Sequence, residues 1–103
     1  MIITTTSNVD GMMIKEYKGI VFGEVVEGID LFRDIAAGFT NLFGGRSNSY
    51  EHAMVESRQA AIQDMIGKAE NLGANAVVGV RVDYEVINNM LMITASGTAV
   101  FVD

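Results

Sequence analysis

Residues 44–47 read Gly-Gly-Arg-Ser, and a long helical pattern begins directly after them. Glycines, a cation and a hydroxyl ahead of a helix are the parts of an anion cradle, because free N–H groups at a helix start point towards a bound anion. The segment lacks the spaced glycines and the Lys-Ser/Thr of a nucleoside-triphosphate loop. It also joins two helical patterns instead of following a strand. The expectation is helix punctuation with a subunit contact. The sharper alternative is a ligand loop drawing on Gly44, Gly45, Arg46, Ser47, Tyr50 and Glu51, since loops often carry function.

Metal chemistry has thin support. His52 is the one histidine, and Glu56 lies four residues on, one helical turn away. Two ligands on a solvated face fall short of the three or four that a zinc site uses. Carboxylates such as Glu24 or Glu27 from several subunits would suit a hard cation better than a soft one. There is no cysteine, which excludes disulfides, zinc-thiolate sites and cysteine nucleophiles. No metal site and no cofactor are expected.

Catalytic groupings are equally sparse. Ser47, Ser49 and Ser57 lack a credible histidine base. Asp83 and Glu85 alternate along one strand face, as on any exposed strand. The seven methionines mostly fall at core positions. Met12, Met13, Met90 and Met92 have room to be exposed, with core or interface filling as the expected role. Arg58 falls inside the apolar stripe of the long helix, where a charge needs a partner or a path to water. Glu51, Glu24 and Asp83 are the carboxylates considered for it.

These residues need elements to hold them. Residues 2–6 are strand-prone and residues 7–11 supply a turn. A longer strand signal runs from Met12 to about Val26. Gly19 and Gly23 interrupt it, as bulges or as points where another backbone comes close. Asp30 caps a short helix carrying Leu31, Ile35, Phe39 and Leu42 at helical spacing, stopped by Gly44 and Gly45. A longer helix spans about Ser49 to Leu72. Asn48 and Glu51 form a broad capping box at its start, and Gly73 is its stop signal.

Placed at 100° per residue, that helix has three faces. Tyr50, Met54, Ala61, Met65, Ala69 and Leu72 form the core stripe, widened by Val55, Ile62 and Ile66. His52, Glu56, Gln59, Gln63 and Glu70 face water. Ala53, Ser57, Ala60, Asp64 and Gly67 form a row of small or short residues that admits a close neighbour. Ala53, Ser57, Ala60 and Gly67 are therefore the expected oligomer contacts.

The last third reads as a hairpin about Asn88-Asn89, a pair that tolerates positive φ. With Ile87 opposite Met90 and strict alternation, one face holds Ala76, Val78, Val80, Val82, Tyr84 and Val86. Opposite them stand Leu91, Ile93, Ala95, Gly97, Ala99 and Phe101. That apolar face is expected to carry the helices.

The bulk numbers agree with a single domain, residues 1–103. Apolar residues reach 50% and the mean hydropathy is +0.29, high for so short a chain. Small domains bury a modest share of their surface, so another copy is expected to cover part of it. The net charge of −6 argues against nucleic acid and anionic membrane as partners. No signal-like start or long apolar run is visible, and a cytoplasmic protein is the expectation.

Residues 21–34 (VFGEVVEGIDLFRD), 44–51 (GGRSNSYE), 73–85 (GANAVVGVRVDYE) and 94–100 (TASGTAV), in the order β-β-α-α-β-β, resemble the YbjQ family over essentially the whole chain. The resemblance implies a dodecin-like α+β fold assembled as pentameric rings. It also brings a heavy-metal-binding label, with no catalytic residues attached. The expectation is an α+β domain whose antiparallel sheet carries one short and one long helix on one face. It is a non-enzymatic ring-forming homo-oligomer, a pentamer by resemblance, with a small-molecule site at subunit junctions. A heavy-metal-binding protein and an undetected enzyme are the alternatives.

Overall fold

The computed structural model describes residues 1–28 and 48–103, with the side chains of residues 48–50 excepted. The described elements are β1 (Ile2–Ile3), β2 (Ile14–Gly28), α1 (Asn48–Asn71), β3 (Ala76–Ile87) and β4 (Met90–Val102). The class is α+β, as expected. The short helix expected after Asp30 lies outside the described residues.

The strands form one sheet in the order β1-β3-β4-β2. Pairing of β2 with β4 and of β3 with β4 is antiparallel. β1 runs parallel to β3, Ile2 opposite Ala76 and Ile3 opposite Val77. The sheet is therefore mixed, which corrects the fully antiparallel expectation. A two-residue strand has too little pattern to declare its partner.

Asn88 and Asn89 turn the hairpin with φ of 50° and 62°, the left-handed geometry that matches the twist of the flanking strands. The register expected from the sequence holds from Ile87–Met90 to Arg81–Ser96. It then slips, and Val78 pairs with Thr98, because a bulge sits at Gly79, whose φ is 63°. A residue with a Cβ is strained at that angle.

The slip redistributes the apolar side chains. Val77, Val80 and Val82 pack under α1 with Leu91, Ile93, Ala95 and Ala99. Ala76 and Val78 turn to the other face, where they meet Val100, Val102, Val9 and Ile14. The strict alternation expected for β3 is thus corrected beyond Arg81. Residues 4–6 close over the bulge: Gly79 N–H donates to the Thr6 carbonyl at 2.8 Å and Val80 N–H to the Thr4 carbonyl at 3.0 Å.

Helix α1 presents Ser57, Ala61, Met65 and Ala69, four residues apart, and all are buried. Met54 and Ile62 flank them. The short side chains let α1 lie directly on β2. A Cβ at Gly23 would overlap the Ala61 carbonyl oxygen and the Met65 nitrogen, so this glycine marks a close backbone approach. Gly19 occupies the second expected role, at a register shift of β2. At the far end, Gly73 N–H donates to the Glu70 carbonyl at 2.9 Å and Ala74 N–H to the Ala69 carbonyl at 3.1 Å. These two bonds make a Schellman stop. Leu72 belongs to that stop, and it and Val55 are exposed rather than core residues.

Candidate functional site

Among the described residues, strand β2 is an edge of the sheet. Side chains alternate along it: Val21, Gly23 and Val25 lie towards α1, and Ile20, Phe22, Glu24 and Val26 lie on the other face. Ile20 is 71% and Phe22 48% exposed, and Tyr17 is 71% exposed. Exposed apolar side chains along an unpaired strand edge are what proteins usually avoid. Together they form an exposed apolar patch.

A groove of about 440 Å³ runs between this edge and the last turns of α1, lined by Ile20, Phe22, Glu24, Lys68, Asn71 and Leu72. Asp64 stands beside it and ties two of its lining residues, Glu24 and Lys68, together. The Asp64 carboxylate accepts the Glu24 backbone N–H at 3.1 Å and meets Lys68 Nζ at 3.3 Å. The Glu24 amide, aided by Lys68, holds the Asp64 carboxyl below its usual range. Asp64 thus stands in for a strand neighbour at one amide of the β2 edge. The groove offers a lysine already paired with Asp64, the Glu24 carboxylate, the Asn71 amide and apolar walls, an amphipathic lining.

The opposite edge differs. Backbone bonds from residues 2–6 cover β3 as far as Val80. Among the described residues, Arg81–Ile87 have a strand neighbour only in β4. Tyr84 and Val86 are exposed there, and Arg81 reaches Asp83 at 3.7 Å.

The residues singled out from the sequence are scattered over these regions. Gly44, Gly45, Arg46 and Ser47 lie outside the described residues, as does the Tyr50 side chain. Glu51 is in the first turn of α1 and exposed. Arg58 is half-buried, and no ion pair joins it to Glu24 or Asp83. Ala53 and Ser57 are taken up by the protein's own core. Ala60 is exposed and Gly67 half-buried with open space at its Cβ position, so these two keep room for a neighbour. His52 pairs with Glu56 at 2.9 Å on the solvated side. Among the described residues, no three His, Cys, Asp or Glu side chains gather to hold a metal, and no helix is long and apolar enough to cross a membrane.

Sequence reasoning missed two positioning residues. Asn75 donates through Nδ2 to the Val102 carbonyl and accepts the Val102 N–H, both at 2.8 Å. Its side chain extends the ladder past the end of β3. Asp64 was read only as one of a row of short residues. The available signal was its i,i+4 spacing to Lys68, which fixes a carboxylate at the helix edge.

Comparison with known proteins agrees with this architecture. A family profile described as "Putative heavy-metal-binding" (YbjQ_1) matches residues 1–103. The chain belongs to the YbjQ family. Among YbjQ relatives, a "UPF0145 protein" of Clostridium kluyveri is 56% identical, with 100% of both chains covered. One from Listeria welshimeri is 53% identical, covering 100% of this chain and 96% of the relative. A crystal structure from Pediococcus pentosaceus, described as a protein with unknown function of the DUF74 family, superposes with a TM-score of 0.62. It is 22% identical and covers 100% of this chain and 98% of its own. That likeness bears on the fold alone.

Proposed function

We propose that this YbjQ-family protein is a non-enzymatic, ring-forming homo-oligomer that holds a small ligand where subunits meet. The observation that carries the proposal is the pairing of exposed Tyr17, Ile20 and Phe22 with an amphipathic groove at the β2 edge. The two open edges of the sheet are different surfaces. Contact between unlike surfaces is heterologous, and such contacts close into rings when the rotation allows. Five subunits is the number implied by the family resemblance. The ligand reading follows from the groove lying along the contact edge, with Lys68 and Asn71 as its polar recognition groups.

Sedimentation at micromolar concentration should give a multimer with little monomer. Phe22→Glu should shift it to smaller species, because the contact would desolvate an unpaired charge. A monomer for the unaltered chain would end this reading. The second reading is heavy-metal binding, favoured by the family description. His52 does not carry it here: His52→Ala should leave metal uptake and stability unchanged.

A further inference from the structure

The end of the sheet beyond α1 holds a second cavity, of about 340 Å³, lined by Val26, Ile87, Asn88, Met90 and Met92. Its shape follows from the register. On the face away from α1, Met92 lies in a row between Val26 and Glu85, and Met90 in a row between Gly28 and Ile87. Gly28 contributes no side chain, and no atom of the described residues lies within 4 Å of where its Cβ would stand. Two residues apart on one strand, Met90 and Met92 project the same way, while Leu91 and Ile93 between and beyond them are buried under α1. The asparagine turn beside them fixes the hairpin end in one geometry.

Core filling does not account for these methionines. Met65 is fully buried, whereas Met90 is 40% exposed and lines an open apolar cavity. What two thioethers in such a cavity offer is soft, neutral, polarisable sulfur. Thioether sulfur selects Cu(I) over Zn(II) or the hard cations. The apolar wall leaves the two sulfurs as the soft donors of the cavity, and Glu85, the β3 register partner of Met92, brings an acidic residue to the same face. Neither cysteine nor a His/Asp/Glu cluster is needed.

We propose that Met90 and Met92 form a binding site for a soft monovalent cation of the Cu(I) class, with Ag(I) as its non-redox equivalent. The proposal deepens the metal-binding reading of the family and does not require the ring.

The test is titration of the full chain with silver nitrate in chloride-free buffer, followed by NMR of 13C-labelled methionine methyl groups. The expected result is saturable binding of one Ag(I) per chain, with shifts at the Met90 and Met92 methyls and none at Met12, Met13 or Met65. Met90→Leu and Met92→Leu, close in volume to the native residues, should each weaken binding at least tenfold. The double variant should lose it, with thermal unfolding and oligomer size retained. Met12→Leu/Met13→Leu should bind as the unaltered chain does. Cu(I) competition against bicinchoninate should give the same ranking. Absence of silver shifts, shifts at only one of the two methyls, or binding that survives the double substitution would overturn the site. Loss of the multimer with silver binding intact would count against the ring alone.

Discussion

The two ends of the sheet are built on opposite terms. Where α1 crosses β2, small residues meet backbone: Gly23 lies against Ala61 and Met65, and a Cβ at Gly97 would press on Val77. The residues between helix and sheet there, Val21, Ala61, Met65 and Ala95, are buried. At the hairpin end the same strands carry Tyr84, Val86, Ile87 and Met90 in partial contact with water. One end is a finished core and the other holds apolar surface in reserve. Stability is concentrated at the first, and recognition belongs at the second and along the β2 edge, because only exposed apolar surface gains from meeting a partner.

The contrast has measurable consequences. Met65→Ala removes a fully buried side chain and should cost about 2–5 kcal/mol in urea unfolding. Val86→Thr, at a position 62% exposed, should cost about 0.5 kcal/mol or less. Comparable losses at the two sites would erase the distinction. Gly23→Ala forces backbone apart and should cost about 1–3 kcal/mol, at the upper end because neither helix nor strand has a flexible group to yield. A neutral Gly23→Ala would mean that α1 does not lie on β2. Gly79→Ala should cost about 1–2 kcal/mol through its left-handed backbone alone, since nothing crowds the new methyl.

The smallest effect concerns Asp64. Its carboxyl is held below the usual value by the Glu24 amide and Lys68. A depressed carboxyl contributes stability that is present above its unfolded pKa of about 3.9 and lost as pH falls through the lower folded one. Asp64→Asn should therefore lose that small contribution at neutral pH, with the difference between the two proteins constant above about pH 5 and shrinking as pH falls through the acid limb. A difference between the two proteins that grows above pH 6 would contradict this account.

Much of the fold was legible because periodicity and turn chemistry agreed. The asparagine turn, the long helix with its glycine stop, the solvated face of His52 and the two roles for β2 glycines all read directly from residue type and spacing. The bulge at Gly79 did not, for a physical reason. Ala76, Val77, Val78 and Val80 are apolar on both sides of the slip, and both faces at that end are covered, so alternation carries no information. Gly79 itself was the signal, of the kind that Gly19 gave in β2. The Asn75 clamp was hidden because its partner, Val102, is distant in sequence. Of the site, Lys68, Asn71 and the β2 edge became visible only when the order of the described strands put β2 at one side of the sheet.

The parallel pairing of β1 with β3 also sets an order of events in time. Residues 2–6 are synthesised well before β3, the strand on which they dock. They have no place to bind until β3 exists, and pairing over such separation closes slowly. The hairpin of β3 and β4 is local and should form early, leaving its bulge uncovered. Residues 2–6 then close the structure as its final fastening. Pulsed hydrogen exchange during refolding should show the Thr4 amide, bonded to the Val77 carbonyl at 3.0 Å, gaining protection after the amides shared between β3 and β4.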